Sequence, residues 1–177
     1  MSVSSGAVLS EVARTDRAAL AFLYEHPQWF AAIFAELQRR ELRFEKIFIP
    51  DHYYEVGAQQ PAFKVLFNRM SPSADSRQHG SGIFHTLAYL EHLQLQGVRV
   101  INGAKAFRYE ISKAAQASLL KSLGLKFLPS RVIHAAHQAA AAAAGLRYPI
   151  IVKANTGGSG KGITRFNTTE TADGTTK

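Results

Sequence analysis

Pro149-Ile150-Ile151-Val152-Lys153-Ala154-Asn155-Thr156-Gly157-Gly158-Ser159-Gly160-Lys161-Gly162 runs an apolar strand directly into a glycine-rich loop. With a side-chain period of two, Ile150, Val152 and Ala154 share one face and Ile151, Lys153 and Asn155 the other, which sets a lysine inside an apolar strand. Four glycines in the six residues 157–162 free the loop backbone of Cβ clashes, so its amides can turn toward phosphate oxygens and approach them closely. Ser159 adds a hydroxyl and Lys161 a charge. A hydrogen bond to a charged group contributes roughly 1.5 to 3 kcal/mol, so about three or four such amides suffice to hold a triphosphate. The pattern is not a P-loop, which would need glycine at Asn155 and Ser or Thr at Gly162 and would lead into a helix; here Ile163-Thr164-Arg165-Phe166 reads as a returning strand. Kinase and dinucleotide spacings fail too, because Ile163 stands where a further glycine would follow Gly158 and Gly160. A flexible glycine turn and a solvated strand lysine remain open readings of the stretch taken alone.

Outside that stretch, 177 residues with 46% apolar and 19% charged side chains, eleven Phe and six Tyr make a globular chain of one domain, or one and a part. No cysteine is present, which removes disulfides, thiolate metal sites and a cysteine nucleophile. The first ten residues lack a basic start followed by an apolar stretch, and no apolar run approaches the roughly 18 residues of a membrane helix, so the expected location is cytoplasmic and away from membranes. The net charge of +8 is uneven: residues 99–165 hold eleven Lys and Arg against Glu110 alone, for +10, while 1–98 and 166–177 each net −1. Such a block predicts an anionic partner, with a merely solvated basic face as the plain alternative.

Working toward the N-terminus, residues 19–25 form a nearly continuous apolar run, as a strand buried on both faces would. Pro27 suits the first turn of a helix, in which Trp29, Phe30, Ile33, Phe34 and Leu37 recur at helical spacing. Strands are expected over 44–49, 63–67 and 98–101, and a loop over 71–82. A helix over 83–96 should turn Phe84, Leu87, Ala88 and Leu90 inward and end at a left-handed Gly97. The alternation predicts a largely parallel, three-layer α/β domain over 18–103, preceded by a poorly ordered 1–17. It has no glycine fingerprint after its first strand, which argues against dinucleotide binding. Farther on, Ser112 is placed to cap a helix with Ala115, Leu119, Leu120 and Leu123 as its buried stripe and Gly124 at its end. Residues 131–134 read as a short strand and 135–144 as an alanine-rich helix.

The segment from Leu146-Arg147-Tyr148-Pro149 through Phe166 resembles the strand, flexible glycine loop and returning strand of ATP-grasp enzymes, particularly ligases similar to ribosomal-protein glutamate ligase and glutathione synthetase. Glu25-His26-Pro27, Asn68-Arg69-Met70-Ser71, Val100-Ile101-Asn102-Gly103 and Ile111-Ser112-Lys113 with Gln116 and Leu119-Leu120 resemble, in that order, the preceding domain and the first ATP-grasp helix. The resemblance, covering residues 19–167, implies an α/β architecture: a parallel-sheet pre-ATP-grasp domain over 18–103, then the first (N-terminal) α+β subdomain of an ATP-grasp fold over 104–167, truncated; beyond it, the Thr-rich, polar and patternless residues 168–177 read as an unstructured tail. It gives Lys153 contact with the adenine side and α-phosphate of ATP. Lys113 reaches the phosphates from the helix, and Gly157, Gly158, Ser159, Gly160, Lys161 and Gly162 form a lid over the β- and γ-phosphates. Asn68 and Arg69 end the third strand, where such sheets bind ligands, and would contact a carboxylate substrate or serve structure alone. The implied reaction joins a carboxylate to an amine through an acyl-phosphate, with Mg²⁺ offsetting phosphate charge. The family's metal ligands, carboxylates and an asparagine, belong to its C-terminal subdomain, so no catalytic or metal residue is expected in this chain, and the chain alone is expected to be inactive.

Seven histidines carry no HExxH pattern, so no metal site is expected, and no GxSxG elbow is present. Two other classes stand beside the ligase: a non-catalytic nucleotide-binding or interaction module completed by an acidic partner, and, ranked below it, nucleic-acid binding, for which only the pI near 9.9 speaks. The sequence leaves the two substrates and homo-oligomer formation open.

Overall fold

The computed structural model describes residues 18–59 and 61–168; the expectations for 1–17 and 169–177 lie outside them. The chain divides into two compact units, one through Phe107 and one from Arg108.

In the first unit, β1 (Ala18–Tyr24), β2 (Phe44–Phe48), β3 (Phe63–Asn68) and β4 (Arg99–Ile101) form a single sheet in the order β2-β1-β3-β4, with every pairing parallel. β1 runs between Phe44–Phe48 on one side and Phe63–Asn68 on the other, in register from Leu20↔Phe44 and from Ala18↔Phe63. Its unbroken apolar sequence is what a strand covered on both faces requires; Ala21, Phe22, Leu23 and Tyr24 are all buried. Because the chain leaves β1 for one neighbour and comes back on the other side of it, the carboxyl ends of β1 and β3 flank the switch point of the sheet, where such folds leave a crevice.

Pro27 opens α1 (Pro27–Arg39), which buries Phe30, Phe34 and Leu37. Trp29 and Ile33, expected with them, lie about 100° around the helix and stay 56% and 42% exposed. Phe22 stacks on Phe67 at 5.3 Å and meets Phe34 edge-on at 5.7 Å, and Tyr24 meets Phe34 at 5.2 Å. Each such pair adds about 0.5–1.5 kcal/mol beyond the area it buries.

The expected loop over 71–82 contains an ordered 3-10 turn, Pro72–Arg77, whose Ser73 amide donates to the Ser71 hydroxyl at 3.2 Å. α2 (Ser81–Leu95) begins two residues before its expected start. Leu90 is inward as expected, but Ile83, Thr86, Tyr89 and Leu93 complete the buried face, while Phe84 and Ala88 point out. Apolar residues recur all around this helix, so periodicity did not fix its rotational phase. Gly97 takes the left-handed conformation at φ 77°, and the Val98 amide returns to the Leu93 carbonyl at 3.0 Å. A helix not anticipated from sequence, α3 (Ala104–Glu110), starts where the Gln94 side chain accepts from the Ala104 amide at 2.9 Å and ends the unit with a fully buried Phe107.

The second unit carries α4 (Lys113–Ser122), α5 (Ala139–Ala143) and the antiparallel pair β5 (Ile150–Lys153) and β6 (Ile163–Phe166). Ser112 caps α4 as expected, its hydroxyl accepting from the Ala115 amide at 3.2 Å. The expected stripe is only half-buried at Ala115, Leu119 and Leu120, and Leu123 is exposed. No strand forms over 131–134. The alanine-rich stretch shrinks to five α-helical residues after a 3-10 turn, Ala136–Gln138. Alanine favours helix but gives it little to bury, and a helix this short is marginal without tertiary packing.

Candidate functional site

The strand, glycine loop and strand form as the sequence predicts, with Lys153 as the last residue of β5, opposite Ile163 of β6. Between them the backbone takes positive φ at Gly157 (124°), Ser159 (56°), Gly160 (73°) and Gly162 (67°). No atom outside the immediate chain lies within 4 Å of a Cβ built on Gly157, Gly160 or Gly162. Glycine is therefore demanded there by backbone conformation and not by crowding.

The base of this loop is tied to the first turn of α4. The Asn155 side-chain oxygen accepts from the Ala114 amide at 2.8 Å and from the Ser112 hydroxyl at 3.2 Å, and the Asn155 carbonyl accepts from the Lys113 amide at 3.1 Å. With Ser112 taking the Ala115 amide, the amides of 113, 114 and 115 all have partners, so the donors left for a ligand are those of the loop. Lys113 turns its ammonium to the same place, donating to the Gly157 carbonyl at 2.9 Å and the Asn155 carbonyl at 3.3 Å. Its pKa is pushed below the ordinary lysine value, first by burial and then by the positive charge of Lys153. Two like charges within reach of one loop repel, and an anion bound there would relieve that repulsion. Lys113, Lys153 and residues 157–162 thus lie in one unit, with Ser159 and Lys161 exposed on the loop. Asn155 is the participant that sequence reasoning missed. An asparagine directly after an apolar strand was its signal, since asparagine is a frequent helix cap.

Asn68 and Arg69 belong to the other unit. Asn68 is 2% exposed, donates from Nδ2 to the Asn102 carbonyl at 3.1 Å and accepts at Oδ1 from the Met70 amide at 3.1 Å. Its side chain joins the ends of β3 and β4 and is committed to backbone. Arg69 places its guanidinium 5.6 Å from the Phe30 ring centre.

Comparison with known proteins bears on both units. Residues 112–176 match the family described as carbamoyl-phosphate synthase L chain, ATP binding domain. The fold is similar to the crystal structure of a RimK domain protein ATP-grasp from Sphaerobacter thermophilus DSM 20745, with a TM-score of 0.66 and 18% identity over 88% of this chain and 56% of that one. No curated protein matches the chain. The mixed α/β architecture with its parallel sheet is that of the N-terminal part of an ATP-grasp fold, and the chain spans a little over half the length of that structure.

Proposed function

We propose, from the premise of that ATP-grasp architecture, that this chain supplies the ATP-binding portion of an ATP-dependent carboxylate–amine ligase. The observation that carries the reading is the approach of Lys113 and Lys153 to one glycine loop whose base is fixed to a helix. Lys153 takes the adenine side and α-phosphate, Lys113 the phosphate chain, and residues 157–162 close over the β- and γ-phosphates. In the reaction, a carboxylate oxygen bonds to the γ-phosphorus as the bond to the β-phosphate oxygen breaks and ADP departs. The amine then attacks the acyl carbon, inorganic phosphate leaves, and the amine loses a proton. Arg69, at the sheet's switch point, would steer the carboxylate, with Asn68 shaping the backbone beside it.

Mg²⁺ would supply positive charge to offset that of the phosphates. It requires oxygen ligands in near-octahedral array. The only carboxylate in residues 108–168 is Glu110, and no cluster of three metal-binding side chains is placed to hold an ion among the described residues. The residues present do not fit a magnesium site, and turnover of ATP by the chain alone is not expected. Steady ADP release from the homogeneous chain would overturn that expectation.

Calorimetric titration with ATP tests the binding role. Lys153→Ala and Lys113→Ala should each weaken ATP by about 10- to 100-fold, the value of one charged hydrogen bond. Equal affinity in the wild type and Lys153→Ala would remove Lys153 from the site, and failure of the wild type to bind would remove the reading.

A second reading rests on charge: residues 108–168 hold nine Lys and Arg against Glu110. A non-catalytic module docking an acidic partner would bind a polyglutamate peptide, losing affinity steeply with salt. Salt-insensitive binding, or none, counts against it.

A further inference from the structure

Glu25, the residue after β1, is 3% exposed. Arg77 donates to its carboxylate from Nε, at 2.9 and 3.1 Å to the two oxygens, and again from Nη2, while His79 Nδ1 lies 2.7 Å from Oε1. Burial alone would raise the Glu25 pKa, but the hydrogen bonds and charges of Arg77 and His79 outweigh it and hold the carboxyl below its ordinary value. An ionised carboxylate only accepts hydrogen bonds, so the His79 hydrogen resides on Nδ1 and the tautomer is fixed. Nε2 is left as the one site on this ring for a further proton. Arg77 already offsets Glu25, and its guanidinium also rests 5.1 Å from the Trp29 ring centre.

His79 is also part of the wall of an open cavity of about 430 Å³, together with Ile49, Pro50, Gln78, Ser81 and His85. Gly82 completes the wall, where a Cβ would come within 2.7 Å of Ile49 Cγ2 and 3.2 Å of Met70 Cε. The volume lies in the range of small-molecule pockets. Ile49 and Pro50 offer a wall to a hydrocarbon chain. The Gln78 amide, Ser81 hydroxyl and two imidazoles offer donors, and none of the lining residues is an acid. A bound ammonium would find no carboxylate in the wall. A bound carboxylate would find several donors and a histidine whose protonation makes the Arg77–Glu25–His79 group net positive.

We infer that this cavity binds a small carboxylic acid as its carboxylate, with uptake of one proton at His79 Nε2, so that binding tightens as pH falls. Charged and titratable groups on the elements around the cavity are Glu25 beyond β1, Asp51 beside Pro50, Asp75 and Arg77 of the 3-10 turn over 72–77, His85 of α2, and His52, whose Nδ1 lies 2.9 Å from His85 Nε2. Asp75 turns Oδ1 toward Gly80, to 2.5 Å from where a Cβ would stand. Every residue involved belongs to the unit through Phe107. The inference therefore stands or falls apart from the nucleotide reading, which concerns the other unit.

The test is titration of the isotopically labelled full chain with sodium butyrate, sodium glutamate and, as a rival source of anionic oxygens, inorganic phosphate, at about pH 6 and about pH 8, spanning histidine titration. The imidazole resonances are followed by NMR, and proton uptake is counted by calorimetry in buffers of different ionisation enthalpy. A carboxylate should shift the His79 and His85 rings and, at about pH 8, take up close to one proton. Affinity should be lower at about pH 8 than at about pH 6, as the uptake of a proton on binding requires. His79→Gln, which keeps a donor for Glu25, should bind without that slope. The inference is overturned by no shift with either carboxylate, by binding without proton uptake, by an unchanged slope in His79→Gln, or by a response to phosphate alone. The wild-type proton count decides the question even where the variant does not fold.

Discussion

Asn155 does more at the residue scale than its place beside a glycine loop suggests. Its side-chain oxygen serves the Ala114 amide and the Ser112 hydroxyl, so Asn155→Ala leaves the first turn of α4 short of an acceptor. The loss should be about 1 kcal/mol, the usual cost of removing a helix cap, read as a lower urea midpoint with unchanged slope. Asn155→Asp, which keeps the acceptor, should hold the midpoint close to wild type, and an equal loss in both variants would show that capping is not its contribution. Lys153 was legible in the sequence because a charge interrupts an apolar run. Asn155 was less so, because its partners lie over forty positions away in the chain. Glu25 stands in the Glu25-His26-Pro27 motif, yet its pairing with Arg77 and His79 depends on where a 3-10 turn sets those side chains.

Among the elements, α1 is held by one narrow face. Phe34 touches Phe22, Tyr24, Phe30 and Phe44 with ring centres 5.2 to 6.1 Å apart. Phe34→Ala should cost about 3–5 kcal/mol, as deletion of a buried ring does. Ile33→Ala, on the exposed side, should stay within about 0.5 kcal/mol. The glycine loop calls for a different outcome. Gly160→Ala meets no neighbour but must hold a left-handed backbone, at about 1–2 kcal/mol. With nothing packed on it, the empty loop can relax away from that strain, so the cost should appear as weaker ATP binding with little change in thermal midpoint; a large midpoint drop with unchanged binding would mean that the loop's shape supports the fold and not the ligand. The parallel strands, α1, the cap of α4 and the strand-loop-strand were readable because pattern and punctuation agreed there. The phase of α2, the extent of α5 and the missing strand over 131–134 were not, because tertiary partners decide them.

For the molecule as a whole, acid stability follows from groups that folding holds in one protonation state. Burial, and then the positive charge of His85, lower the His52 pKa to about 4. Folding thus favours neutral His52, whose contribution is fully present above about pH 6.5, the unfolded value, and is lost as pH falls toward 4. Glu25, held below its ordinary 4.5, contributes above that value and loses its contribution as pH falls through its lowered pKa. Urea midpoints should therefore decline from about pH 6.5 toward 4 as His52 takes up a proton, and decline further below about 4.5 as Glu25 does. His52→Phe, which keeps a ring against Tyr89, should flatten the first decline and leave the second. An identical decline in the variant would assign it to another group.

The ammonium of Lys113, finally, is already occupied: it spans the carbonyls of Asn155 and Gly157. A cation so engaged would act as a latch on the resting loop, and a phosphate that drew it away would release Gly157 in the same movement. Recognition and unlocking would then be one event, performed by one side chain.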